Sequence, residues 1–167
     1  MEVVLIRHAK AGSADANTWP DDRKRPLTAE GVAEQRAAAW AMKKMGVSFE
    51  FLVTSPLLRA RQTAEVIAEV YKWGEPPQEA EDLAPPCPVA ALVKLLAKFP
   101  PDAEVALVGH EPSFSRAAAA LIGGMADARI ALKKSGVLGI AFDGHPAPGS
   151  GELIFHLKPG QLRKLAR

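Results

Sequence analysis

The chain has 167 residues, 48% of them hydrophobic and 24% charged, which predicts one globular domain over residues 1–167. Its 21 Lys and Arg against 19 Asp and Glu leave a net charge of only +2, so we expect no nucleic-acid partner. A single cysteine excludes an intrachain disulfide, and no apolar run approaches the ~18 residues of a membrane span. We therefore expect a cytoplasmic protein without a membrane partner.

Strand-like and helix-like segments alternate in the first part of the chain. The apolar, β-branched run from Val3 to Ile6 predicts a buried strand. Residues 11–26 are rich in Gly, Ser, Asp, Asn and Pro, which predicts a loop. Thr28 is expected to cap a helix that reaches Lys44, with Gly46 as its stop.

A second strand and helix follow. Residues Phe51–Val53 predict a short strand. Ser55 and Pro56 then predict the N-cap and the first residue of a helix that ends near Lys72. The segment 74–88 holds five prolines and is expected to be irregular.

The rest of the chain continues this alternation and ends in a hairpin. It predicts a helix at 89–98, a strand at 104–108, a helix that Pro112 opens and Gly123-Gly124 ends, and antiparallel strands at 137–142 and 152–157. The alternation predicts an α/β fold whose mixed sheet is mostly parallel, with an antiparallel edge.

Three polar groups directly follow predicted strands. They are Arg7-His8, the segment Ser55–Arg59, and Gly109-His110-Glu111. Ligands of open parallel sheets bind outside the carboxyl ends of the strands, so we expect these groups at one edge. Arginine offers a planar fork that matches phosphate oxygens, and a neutral imidazole is a competent nucleophile. The set indicates phosphoryl transfer.

Each of these features also has an ordinary interpretation. Arg7-His8 alone is compatible with a strand-end pair, Arg59 with a surface ion pair, and His110 with a turn histidine. Their order and their matching positions after three strands favour a shared site. The four scattered histidines have no metal-ligand spacing, so we expect neither a metal nor a cofactor. Lys10 is either an extra positive charge at the mouth of the site or a surface residue.

Longer motifs around these residues resemble a known family. The runs Leu5–Ala9, Thr54–Ala64 and Leu107–Pro112 are similar to the three motifs of the histidine phosphatase superfamily, which includes the phosphoglycerate mutases. Arg25-Pro26-Leu27-Thr28 resembles the sequence before the first long helix of its SixA-type phosphohistidine phosphatases. One departure is Ala9, where the commoner signature has glycine. The resemblance implies a phosphoglycerate mutase-like, three-layer α/β/α sandwich.

The resemblance also implies residue roles. His8 would attack phosphorus and become phosphohistidine, while Arg7, Arg59 and His110 would bind the phosphoryl group. A carboxylic acid would protonate the leaving group. The candidates for that acid are Asp82, which fits best, with Glu81 and Glu111 as rivals.

The substrate is less closely defined by the sequence. Ser55, Glu111 and Lys10 are candidate substrate-binding residues, the first two because helix N-termini would follow them. The short chain leaves little length for a lid, which favours a large substrate, a phosphohistidine on a signalling protein. The alternatives are a phosphomonoesterase for a small phosphate ester and a non-catalytic module that binds phosphoprotein. The sequence indicates no oligomeric state.

Overall fold

Six strands form one mixed sheet, with helices on both faces. The computed structural model describes residues 1–125 and 129–166. The strands are β1 (Glu2–Arg7), β2 (Phe51–Thr54), β3 (Gln78–Glu79), β4 (Glu104–Gly109), β5 (Val137–Phe142) and β6 (Gly151–Leu157). The helices are α1 (Ala29–Lys44), α2 (Leu58–Tyr71), α3 (Val89–Leu96), α4 (Ser113–Gly123) and α5 (Pro159–Leu165). None of these helices is long and apolar enough to span a membrane.

The sheet order is β3-β2-β4-β1-β5-β6. Strands β3, β2, β4 and β1 are parallel, while β5 runs antiparallel to both β1 and β6. This confirms the predicted mixed sheet with one antiparallel edge. Because β2, β4 and β1 are neighbours, their carboxyl ends lie side by side.

Successive side chains of β1 point to opposite faces of the sheet and belong to two separate halves of the core. Val3 and Leu5 pack in the cluster that includes buried residues of α3 and α4, and Val4 and Ile6 pack in the cluster that includes those of α1, α2 and α5. All four side chains are at most 4% exposed, and burying each such aliphatic side chain contributes about 1.5–3 kcal/mol. The three-layer α/β/α sandwich is therefore confirmed.

The start of α1 is as predicted, but the start of α2 is not. The Thr28 hydroxyl accepts the Gly31 N–H at 3.0 Å and caps α1. Ser55 was expected to cap α2, which instead begins at Leu58 with Leu57 as its N-cap residue. The Ser55 hydroxyl lies 2.8 Å from a ring nitrogen of His110 and is used there.

A short strand, a 3₁₀ turn and a helix lie where no element was predicted. The irregular segment 74–88 contains β3, which pairs with the edge of β2, and a single 3₁₀ turn at Glu81–Leu83. Helix α5 follows β6, and its Leu162 is fully buried against the α1 side of the sheet. Conversely, α3 ends at Leu96, two residues earlier than expected.

Candidate active site

The two histidines meet because β1 and β4 are adjacent and in register. Arg7 pairs with Gly109 at the ends of these strands, and the His8 N–H donates to the Gly109 carbonyl at 3.0 Å. The rings of His8 and His110 follow, with centroids 5.1 Å apart. Gly109 is required here, since a Cβ would lie 2.4 Å from the Phe114 ring.

The hydrogen bond of His8 determines which ring nitrogen carries the proton. Its Nδ1 lies 2.8 Å from the Ala9 carbonyl oxygen, which can only accept. The proton is therefore on Nδ1, and Nε2 keeps its lone pair. The pKa of His8 is lowered to about 4, mainly by burial and also by the charges of Arg59, Arg7 and Lys134, while the Ala9 hydrogen bond opposes this shift. The imidazole is neutral at neutral pH.

Both arginines are held by one end and have unused donors at the other. The Arg7 Nη1 donates to the Leu132 carbonyl at 2.9 Å. The Arg59 Nη1 donates to the Asp22 carbonyl at 2.9 Å and pairs with its carboxylate at 3.0 Å. The Nε of each arginine is buried and has no partner among the described residues. A buried unpaired donor costs about 1–3 kcal/mol, so an anion that accepted from both Nε atoms would relieve two such costs.

His110 contributes a third unpaired nitrogen. Its Nε2 contacts the Ser55 hydroxyl at 2.8 Å, whereas its Nδ1 is buried without a partner in the described part of the chain. The pKa of His110 is lowered to about 3, mainly by burial and also by the nearby His8 and Arg59. Two arginines and a histidine thus surround the neutral His8 ring, a set suited to a tetrahedral oxyanion.

Thr63 joins this site to helix α2, although it was not among the predicted site residues. Its buried hydroxyl accepts the Ala9 N–H at 3.1 Å and donates to the Arg59 carbonyl at 2.6 Å. One side chain therefore links the residue after His8 to the backbone of Arg59. The only sequence signal was its place in the motif that also contains Arg59.

Asp22 was also missed, although it is the partner of Arg59. It lies in a 3₁₀ turn of the predicted loop, and its carboxylate also accepts from Arg25 Nε at 2.7 Å. The Arg25 bond, together with the charge of Arg59, lowers the pKa of Asp22. Arg25 in turn donates to the Gly12 carbonyl at 2.8 Å. The Asp-x-x-Arg spacing was the available signal.

Lys134 adds positive charge from a segment that was not among the predicted parts of the site. The neighbouring Ser135 N–H donates to the Arg7 carbonyl at 3.1 Å, which brings this segment against the end of β1. Partial burial lowers the pKa of Lys134, and the positive charges of Arg7 and Arg25 lower it further.

Two of the predicted substrate-binding residues have other partners. The ammonium of Lys10 forms an exposed ion pair with Glu30 at the start of α1. The Glu111 carboxylate accepts from the Ser115 backbone N–H at 3.0 Å and from its hydroxyl at 2.7 Å, so it caps the first turn of α4. Burial lowers the pKa of Arg7, and the charge of Glu111 opposes this effect in part.

The predicted acids Asp82 and Glu81 lie on the 3₁₀ turn after β3. Asp82 pairs with Lys98 at 3.3 Å, and Glu81 pairs with Arg23 at 3.0 Å. In the part of the chain that the structure describes, no hydrogen bond or ion pair joins either carboxylate to the two site histidines or arginines. Across residues 1–125 and 129–166, no cluster of three or more His, Cys, Asp or Glu side chains is suited to a metal ion.

Comparisons with known proteins agree with this geometry. The profile of the histidine phosphatase superfamily (branch 1) matches residues 3–84. An uncharacterized protein of Picosynechococcus sp. is 38% identical over 142 residues, which are 84% of each chain. Phosphohistidine phosphatase SixA of Escherichia coli K12 is 33% identical over 85 residues, which are 51% of this chain and 50% of that protein.

The similarity extends to solved structures. A structure of the protein histidine phosphatase SixA complexed with tungstate superimposes with a TM-score of 0.80 and 27% identity, covering 97% of this chain and 99% of that one. A phosphoserine phosphatase of Entamoeba histolytica, at 17% identity, has the same fold with a TM-score of 0.69 over 96% of this chain and 98% of its own.

Proposed function

The chain belongs to the histidine phosphatase superfamily, and on that basis we propose that it is a phosphatase that removes phosphate from phosphohistidine in a signalling protein. The reaction runs through a phosphohistidine intermediate on His8. The observation that carries this proposal is the bond from His8 Nδ1 to the Ala9 carbonyl, which leaves the Nε2 lone pair available next to two unpaired arginine edges.

In the first step, the Nε2 lone pair of His8 forms a bond to phosphorus. The bond from phosphorus to the substrate imidazole breaks, and its electron pair returns to that ring. The substrate ring carries its proton on the other nitrogen, so it leaves as a neutral imidazole. Arg7 and Arg59 bind the equatorial oxygens through their Nε and Nη2 edges, where charge spreads in the transition state.

In the second step, a water oxygen attacks phosphorus. The bond from phosphorus to His8 Nε2 breaks, its electron pair returns to the ring, and both water protons leave with the phosphate. His8 regains the neutral form that its low pKa favours. The proposed chemistry requires no metal, because the arginines supply the positive charge that Mg²⁺ supplies in other phosphoryl transfers.

A general acid contributes little to this reaction. A neutral imidazole is a good leaving group, whereas an alkoxide from a phosphate ester needs a proton. Asp82 stays our candidate for that proton, with Glu81 and Glu111 as rivals. Asp82→Asn should therefore slow hydrolysis of an alkyl phosphate more than hydrolysis of a phosphohistidine peptide. Equal slowing of both substrates would remove Asp82 from the proposal.

The choice of a protein substrate is supported by similarity. The SixA relative of Escherichia coli K12 is named for phosphohistidine, and a SixA structure superimposes over 97% of this chain. Faster turnover of a small sugar or nucleotide phosphate would favour the second candidate, a phosphomonoesterase. Binding of phosphoprotein without turnover, unchanged in His8→Ala, would favour a binding module.

The test is to trap the intermediate. The protein is incubated with ³²P-labelled phosphoramidate, quenched in base and digested, and the peptides are analysed by mass spectrometry. Acid-labile label is expected on the peptide that contains His8 and should be absent from His8→Ala. His145→Ala is the matched control, because His145 is exposed in the β5–β6 loop. Label on another residue, or label that persists in His8→Ala, would exclude His8 as the nucleophile.

A further inference from the structure

A serine hydroxyl and a histidine ring share a buried hydrogen bond at the candidate active site. Ser55 Oγ lies 2.8 Å from His110 Nε2, and the two residues are 0% and 3% exposed. Ser55 directly follows β2 and His110 directly follows β4, and these strands are neighbours in the sheet. The contact is therefore fixed by the strand register rather than by a flexible loop.

The direction of this hydrogen bond follows from the partners of Ser55. The Leu57 N–H donates to Ser55 Oγ at 3.4 Å, so this oxygen already accepts one bond. The hydroxyl proton needs an acceptor, and among the described residues the only acceptor within reach is His110 Nε2. A buried hydroxyl is rarely left without an acceptor. The hydroxyl therefore donates, and Nε2 accepts.

We infer that Ser55 is a positioning residue that fixes the tautomer of His110, placing the ring proton on Nδ1 so that a neutral His110 donates it to the phosphoryl group. The Nδ1 atom is the buried nitrogen that has no partner in the described structure. His110 does not need to become an imidazolium before it binds the anion. This inference rests on the proposed function for the identity of the anion, but not for the tautomer.

The arrangement makes the two histidines complementary. The Ala9 carbonyl places the proton of His8 on Nδ1 and leaves Nε2 free to attack. The Ser55 hydroxyl instead occupies Nε2 of His110 and leaves Nδ1–H free to donate. Two neutral rings of the same type thus act as nucleophile and as donor, because a carbonyl holds one and a hydroxyl holds the other.

The tautomer can be read directly from the protein at pH 7 without a substrate. Long-range ¹H–¹⁵N NMR distinguishes a protonated ring nitrogen from one with a lone pair, and His110→Asn assigns the signals. We expect a protonated Nδ1 and an unprotonated Nε2 on His110. A proton on Nε2 in the native protein would overturn the inference, even if the enzyme is an active phosphatase.

Variants then test the role of the hydroxyl. In Ser55→Ala we expect His110 to lose this single tautomer, and kcat for a phosphohistidine peptide to fall about 10–100-fold, less than the 10²–10³-fold loss typical of deleting a transition-state donor. Ser55→Thr keeps the hydroxyl and should restore the tautomer. Ser48→Ala, which removes an exposed hydroxyl bonded to Glu104, is the control. An unchanged His110 tautomer in Ser55→Ala would refute the inference, whereas a native tautomer without any turnover would refute only the proposed function.

Discussion

Replacement of Thr63 by Val should separate the hydrogen bonds of this residue from its packing. Val keeps nearly the same shape but removes the hydroxyl that accepts the Ala9 N–H and donates to the Arg59 carbonyl. Ala9 and Thr63 are both 0% exposed, so the Ala9 N–H would be left buried without a partner. That loss costs about 1–3 kcal/mol. For a chain of this length, it corresponds to a fall in Tm of about 2–12 °C.

Urea unfolding monitored by circular dichroism measures the change in the free energy of unfolding. The slope of that free energy against urea concentration should stay unchanged. Thr63→Ser is the matched control, because it keeps the hydroxyl and loses only a methyl group. We also expect kcat to fall in Thr63→Val, since Ala9 carries the carbonyl that orients His8. If Thr63→Val lost less than about 0.5 kcal/mol of unfolding free energy and had the same kcat as Thr63→Ser, the idea that this hydroxyl joins the two halves of the site would be refuted.

Three further predictions concern the histidines, an arginine and a glycine. An NMR titration should show that His8 stays neutral down to a pKa of about 4 and His110 down to a pKa of about 3, and a midpoint near pH 6.5 for either ring would contradict this. Because these histidines take up protons near pH 6.5 in the unfolded state, the free energy of unfolding should be highest above that pH and should fall as the pH drops towards 4. Arg59→Lys loses the planar fork and should lower kcat about 10²–10³-fold without unfolding the protein, as steady-state kinetics and circular dichroism would show. Gly31→Ala would place a Cβ 2.1 Å from a backbone carbonyl of the preceding loop and should cost about 1–3 kcal/mol in a melt, whereas Gly74→Ala, in open space, should be near neutral.

The sequence predicted features that depend on local pattern. The apolar run at Val3–Ile6 indicated β1, and Thr28 indicated the cap of α1, because burial and capping are determined by neighbouring residues. The predicted start of α2 was wrong for a physical reason. Ser55 has a capping side chain, but a histidine 55 residues away uses its hydroxyl, and no local pattern contains that contact.

In the candidate site, too, some features could be predicted from the sequence and others depend on contacts between distant residues. Placement of Arg7, His8 and His110 after adjacent strands could be predicted, because the carboxyl ends of parallel strands share one edge. The anchoring of Arg59 by Asp22 could not, since Asp22 lies in a loop whose path depends on tertiary contacts. Lys134 was missed for a similar reason, because its segment is held against Arg7 by backbone bonds that carry no side-chain signal.

The antiparallel direction of β5 places the β5–β6 loop at the end of the sheet opposite to the candidate active site. Glu2 pairs with Ala141, so residues 143–150 lie beyond the amino end of β1, whereas His8 follows its carboxyl end. At about 3.3 Å per residue, the length of β1 separates the two by about 20 Å. A fluorophore or surface linker attached in this loop would therefore leave the face that carries His8 and His110 unobstructed, and an immobilised molecule could meet a partner as large as a folded domain.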